Sequence, residues 1–185
     1  TGSMEKFGIG QGVTREEDPR LLRGKGLFVN DVDLPHQAYA IVLRSPHAHA
    51  DIRSIDVTAA SVLPGVLAVY TGEDVAADNL GVPGMPAKWL RPDGEPMKYR
   101  PQPPLALGRV RYVGDPVALI VADTLDQARD AAEAVEVDYA PLPSITDTAR
   151  TVDSDAPLVW DDYPDNVSVS IRRATRRRPP WRLQR

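Results

Sequence analysis

A chain of 185 residues with 42% apolar content is long enough to enclose one good-sized hydrophobic core or two small ones. It contains no cysteine, which excludes a disulfide, a thiolate nucleophile and iron–sulfur ligation by this chain, and fits a reducing cytoplasm. The net charge of −4 is unevenly spread: all 26 acidic residues precede Ile171 and seven arginines follow it, leaving 15 basic against 26 acidic residues before that point. A body at −11 repels phosphate backbones and speaks against nucleic acid as a partner. No apolar run approaches the ~20 residues that span a bilayer and the N-terminus has no apolar signal core, so the expectation is a cytoplasmic protein with no membrane partner.

In chain order, Thr1-Gly-Ser3 ahead of Met4 reads as a cloning remnant, opening a flexible arm over residues 1–7. Gly8-Ile-Gly10-Gln-Gly12 lacks the spacing, the preceding strand and the following helix of a dinucleotide loop. Gly24-Lys25-Gly26 likewise lacks the spacing of a P-loop and serves a bend before Leu27-Phe28-Val29. Asp31 and Asp33 match one spacing of a calcium loop without its other ligands, and are read as turn carboxylates. Ala38–Arg44 and Ala50–Ile55 read as two strands around Ser45-Pro46-His47-Ala48-His49. On a strand, His47 and His49 would share a side, a geometry zinc uses, but the one other histidine is His36; they are read as turn or interface residues, with no metal site. Thr58–Leu63 is a short helix ended by Pro64-Gly65, and Val66–Tyr70 is the next strand. Residues 81–108 hold seven prolines, which fix φ and remove donors, and read as an extended surface connection.

The most legible stretch is Arg109 to Ile145. Gly114-Asp115-Pro116 reads as a tight turn, and Val117–Ala122 as a strand covered on both faces. Thr124 and Gln127 fit a capping box at the head of a helix whose Leu125, Ala128, Ala131, Ala132 and Val135 form one stripe. Small alanines let such a helix lie flat on a sheet. Val135, Val137 and Tyr139 alternate with Glu136 and Asp138 as a half-buried strand that Pro141 and Pro143 stop. Both halves of the chain therefore read as hairpin, helix, strand, a pseudo-repeat in order rather than in residues. The fold class is α+β, with mixed sheets and about two packed helices.

Six segments, taken together and in this order, resemble a known family. They are Arg20-Leu-Leu-Arg-Gly24-Lys-Gly26-Leu-Phe28, Arg44-Ser-Pro-His47-Ala-His49-Ala, Leu63-Pro-Gly65-Val with Thr71-Gly72, Pro103-Pro-Leu-Ala106, Val110-Arg-Tyr-Val-Gly114-Asp-Pro-Val117 and Val137-Asp-Tyr139-Ala-Pro-Leu-Pro143. The likeness is to the N-terminal α/β-hammerhead domain of the molybdopterin-binding large subunit of the xanthine dehydrogenase, aldehyde oxidase and carbon monoxide dehydrogenase family. It runs over about residues 8–170, with Val29-Asn30-Asp31 and Gly114-Asp115 as mild departures.

The resemblance implies a parent enzyme that hydroxylates a substrate carbon with oxygen from water, or oxidises carbon monoxide, at a molybdopterin-type molybdenum cofactor. Electrons would leave through iron–sulfur clusters to FAD on other domains or subunits. In that family the general-base glutamate and the cofactor-contacting segments lie downstream of the hammerhead domain, and no position here matches them. The expectation is therefore no catalytic, cofactor-binding or metal-binding residue in this chain, and no cofactor of its own. Its partners would be the missing molybdopterin-binding domains and the iron–sulfur and flavin subunits. Residues 171–185, with seven arginines and no acid, read as a basic, disordered or frame-shifted tail. A structural fragment of a molybdenum hydroxylase is thus the first functional expectation, and a free-standing small-molecule or protein-binding module on the same fold is the alternative.

Overall fold

A computed structural model describes residues 15–79, 89–91, 93–100, 102–163 and 165–169. The glycine motif at residues 8–12, part of the proline-rich connection and the arginine tail lie outside the described residues. The chain divides into two compact units, Thr1–Gln37 and Ala38–Arg185.

In the first unit, helix α1 (Asp18–Leu21) starts with Pro19 in its first turn, where the missing N–H costs nothing. Gly24, at φ +68, closes it: the Gly24 N–H donates to the Leu21 carbonyl and the Lys25 N–H to the Arg20 carbonyl, each at 3.0 Å. The Asp31 carboxylate accepts the Phe28 N–H at 2.9 Å and so caps a short 3-10 turn over Val29–Asp31, the turn role expected of it.

The second unit holds β1 (Tyr39–Arg44), β2 (Ala50–Asp56), α2 (Thr58–Ser61), β3 (Val66–Thr71), α3 (Gly72–Ala77), β4 (Arg109–Val110), β5 (Pro116–Ala122), α4 (Leu125–Glu133) and β6 (Glu136–Pro141). Its strands form two three-stranded sheets, β1-β5-β3 and β4-β2-β6, and every pairing is antiparallel, so the expected mixed sheets resolve into antiparallel ones. Neither expected hairpin forms. β1 and β2 part into different sheets, and so do β4 and β5.

The reason lies in side-chain pattern. The continuously apolar strands β1, β5 and β3 gather in one sheet, where the register sets Ile41 and Val69 on either side of Ile120. The alternating strands β2 and β6 pair in the other, with Ile52 opposite Tyr139 and Ile55 opposite Val137 inside, and Ser54 opposite Asp138 outside. The pseudo-repeat survives as an exchange: each sheet takes its central strand from one half and both flanking strands from the other.

Helix α4 packs on the β1-β5-β3 sheet and against α2, as two packed helices require. Thr124 caps α4 by accepting the Gln127 N–H at 3.2 Å, but its hydroxyl also donates to the Gln127 side-chain oxygen at 3.0 Å, so the reciprocal half of the capping box is absent. Ala128 and Ala131 are fully buried, which brings α4 close to the strands. One core joins Ala60, Ala118, Ile120, Ala131 and Val135; a second joins Ala50, Ala106, Val110 and Val117; Ile55 and Val137 pack on both. The opposite face of the β1-β5-β3 sheet carries Ala40, Val42, Ala68, Tyr70, Leu119 and Val121, all apolar and partly or fully exposed. β5 is therefore covered on one face and only around Val117 on the other. No helix among the described residues is long and apolar enough to cross a membrane.

Candidate functional site

Five residues join β1 to β2 (45–49) and five join β4 to β5 (111–115), and these two crossover loops meet. The Ser45 N–H donates to the Asp115 carbonyl at 2.9 Å and the Gly114 N–H to the Ser45 carbonyl at 2.8 Å. Gly114 stands at φ +90, a conformation glycine adopts without a Cβ penalty, and the buried Asp115 carboxylate accepts the Arg111 N–H at 3.0 Å. The expected tight turn is thus built, and it is locked to the other half of the chain. Ser45 accepts the His47 N–H at 3.0 Å and donates to the His47 carbonyl at 3.1 Å. Burial pushes the Tyr139 phenol up, against the opposing effect of the nearby Ser45 hydroxyl.

The loop separates the two histidines instead of aligning them as a strand would. His47 lies against Tyr139, ring centroids 4.8 Å apart. His49 is buried, its Nδ1 2.9 Å from the Pro143 carbonyl oxygen, and its Nε2 is buried without a hydrogen-bond partner. Because a carbonyl only accepts, Nδ1 carries a proton in this contact.

Arg111 is the other unusual group. Its guanidinium carbon lies 3.6 Å from the Trp160 ring centroid, its Nη1 donates to the Arg109 carbonyl at 3.3 Å, and its Nε is buried with no partner. Burial, then the Arg109 and Arg100 charges, push its pKa down, while Asp115 and Asp161 oppose them from a distance. Arg109, by contrast, is paired to Asp51 and to Asp161, the latter at 2.8 Å. Arg111 is a wall shared by two cavities. One, of about 270 Å³, is also lined by Arg100, Gln102, Arg109, Tyr112, Asp115 and Trp160. The other, of about 200 Å³, is also lined by His49, Tyr112, Ser144 and Thr146.

Residues 157–163 and 165–169 lie against this region as a strap. Arg100 pairs with Asp162 and stands over both Trp160 and Tyr163, and Lys98 stands over Tyr163. The Arg91 side chain, only 2% exposed, makes a two-pronged pair with Asp165 at 2.9 and 3.0 Å and also donates to the Val167 carbonyl. Asn166, part of a formal glycosylation sequon, uses its amide on the Thr151 and Pro157 carbonyls and the Val159 N–H, each at 3.0 Å. The described part of the proline-rich connection thus contributes charged anchors, which composition alone did not single out. Trp160 sits in a stretch with no periodic pattern, and nothing in the sequence linked it to Arg111.

The cofactor implied by the resemblance does not fit these residues. Among the described residues no three His, Cys, Asp or Glu side chains converge on a metal position. Three cavities around the crossover loops and the strap measure about 200, 270 and 310 Å³, near or below the lower limit for a drug-sized ligand. No chemical step through such a group is assigned to this chain.

The family described as aldehyde oxidase and xanthine dehydrogenase, a/b hammerhead domain, matches residues 23–143. The nicotine 6-hydroxylase large subunit of Paenarthrobacter nicotinovorans is 38% identical over 164 residues, covering 89% of this chain and 19% of that protein. The carbon monoxide dehydrogenase large chain of Afipia carboxidovorans is 41% identical over 161 residues, covering 87% of this chain and 18% of that one. The crystal structure of quinoline 2-oxidoreductase from Pseudomonas putida 86 aligns with a TM-score of 0.66 at 40% identity, over 80% of this chain and 18% of that chain. The chain thus spans less than a fifth of the length of these relatives. With most of its second unit inside the matched region, and the crossover loops built from the segments that carry the likeness, this chain belongs to the aldehyde oxidase and xanthine dehydrogenase a/b hammerhead domain family.

Proposed function

We propose that this chain is the N-terminal structural domain of a molybdenum hydroxylase large subunit, a fragment that is not catalytic alone. The observation that carries the reading is coverage: nearly all of this chain aligns with less than a fifth of relatives named as a large subunit or a large chain. The parent activity is oxidation or hydroxylation of an aldehyde, a heterocycle or carbon monoxide at a molybdopterin centre. That centre belongs to polypeptide beyond these 185 residues, with iron–sulfur and flavin groups on further domains or subunits. The domain proper is residues 8–170, and its part is to support the cofactor domains and subunit contacts. The paired charges that bind the strap to the connection, and the two-sheet core with its buried Ile120, suit a rigid support.

The test is the genomic locus. A frame that encodes cofactor domains beyond the codon for Arg185, continuous or restored by a single shift, is the expected result. A locus without any such frame overturns the reading and leaves a free-standing binding module on the same fold.

A further inference from the structure

We infer that residues 20–34 form a docking arm that seats in an apolar, carboxylate-rimmed groove of the polypeptide beyond Arg185, an inference that rests on reading this chain as the N-terminal part of a large subunit. Among the described residues sixteen large apolar side chains are exposed, and seven of them lie between Leu21 and Leu34. Leu22 and Val29 are nearly bare, at 87% and 88% exposure, and Leu27 and Phe28 stand at 64% and 66%. None of the described residues from Arg15 to Gln37 is buried, so this first unit has the apolar content of a core contributor and no core of its own. Exposed apolar residues scattered singly need no explanation, but a run of this density marks a contact surface.

The backbone beneath these side chains is set by local bonds. Gly24 closes α1, the Asp31 carboxylate caps the turn that follows, and the Leu34 N–H donates to the Gln37 side-chain oxygen at 3.1 Å. Leu21 and Phe28 both lean on Gly26, where a Cβ would lie 2.8 Å from Leu21 Cδ2 and 3.4 Å from the Phe28 ring. They brace the bend, and Leu22, Leu27 and Val29 are left for a partner. A backbone fixed in this way lowers the ordering cost of docking. The charges select the partner's chemistry. Arg20, Arg23 and Lys25 stand exposed among the apolar residues, and no acid occurs between Asp18 and Asp31. None of the three cations has an ion-pair partner among the described residues. They complement carboxylates around an apolar groove, the pattern of a contact with a dry centre and a polar rim. The length of chain outside this structure says whose groove it is. This chain covers only 19% and 18% of relatives named as a large subunit and a large chain, so most of what a fragment would fold against lies beyond these residues.

Amide hydrogen exchange over residues 20–34 tests the arm in two proteins, the 185-residue chain and the full-length large subunit encoded at its locus. The expected result is exchange slowed at least about tenfold in the full-length subunit relative to the isolated chain. There, Leu22→Asp with Val29→Asp, and separately Arg23→Gln with Lys25→Gln, should each reverse the slowing. In the isolated chain neither pair should move the urea midpoint, since all four side chains are exposed, and that control separates a lost contact from a lost fold. Equal exchange in the two proteins overturns the arm and leaves the large-subunit reading standing, whereas a locus with no further frame overturns both. Slowing that persists in the first pair overturns the apolar contact, and in the second pair the carboxylate rim. Slow exchange in the isolated chain that deepens with its concentration assigns a second copy as the partner and also overturns the proposal.

Discussion

Replacing Ile120 or its neighbour Val121 with alanine tests the register that the fold rests on. Ile120 is fully buried between Ile41 and Val69 under α4, whereas Val121 faces the open side of the same sheet. Ile120→Ala removes three carbons, worth about 0.8 kcal/mol each or roughly 2.4 kcal/mol in transfer, and the incompletely collapsed cavity raises the cost to about 3–4 kcal/mol. Val121→Ala removes two carbons from a partly wet position, about 1 kcal/mol. The loss of β-branching is common to both and largely cancels in the difference. Urea unfolding at equilibrium should therefore place Ile120→Ala about 2–3 kcal/mol below Val121→Ala, a gap of roughly 4–12 °C in Tm for a unit of this size. A one-residue slip in β5 would exchange the two faces. Equal costs, or a greater one at Val121, would refute the assignment of the core face and show that the open face is covered.

Three further outcomes follow from local contacts. The Asp74 carboxylate accepts the Thr71 N–H at 2.7 Å and its hydroxyl at 2.8 Å, and these bonds hold it below the usual carboxylate range. A depressed folded pKa contributes stability that is complete above the unfolded value near 3.9 and lost as pH falls through the folded one, so the wild-type advantage over Asp74→Asn in urea midpoint should shrink below about pH 4; an advantage unchanged from pH 6 to about pH 2.5 would count against an ionised cap. Arg109→Met should speed amide exchange in residues 157–169 with little change in global stability, since Arg109 ties Asp161 of the strap to Asp51 of β2; unchanged exchange would mean the strap is held elsewhere. A Cβ on Gly72 would lie 2.2 Å from the Ala106 carbonyl oxygen, so Gly72→Ala should cost about 1–3 kcal/mol in urea unfolding, and a neutral result would rule out that close approach.

Helix α4 and strands β5 and β6 were legible because their signals are local: an apolar run, an alanine stripe, a two-residue alternation. The capping box failed in one half for a tertiary reason, since the Gln127 amide lies over Gly65, where a Cβ would meet it at 2.3 Å. Helix α3 was not anticipated, although Thr71 and Asp74 carry its capping signal. Adjacency in sequence does not dictate pairing here, because a five-residue loop fixes no partner. The information that decides it was present in the contrast between continuously apolar β1 and alternating β2, but it acts only by comparison with β5 and β6, more than 60 residues away. The Arg111–Trp160 stack and the Arg91–Asp165 pair depend on still longer closures and leave no local trace.

The exchange of strands also explains why the two crossover loops are tied to one another. Every strand in the interior of a sheet belongs to the half opposite its neighbours, so neither half can complete a sheet alone and both must close together. The loops at 45–49 and 111–115 are then held at each end by different sheets and bonded to one another at 2.8–2.9 Å. A loop restrained from both ends has little freedom to swing a side chain toward a new partner.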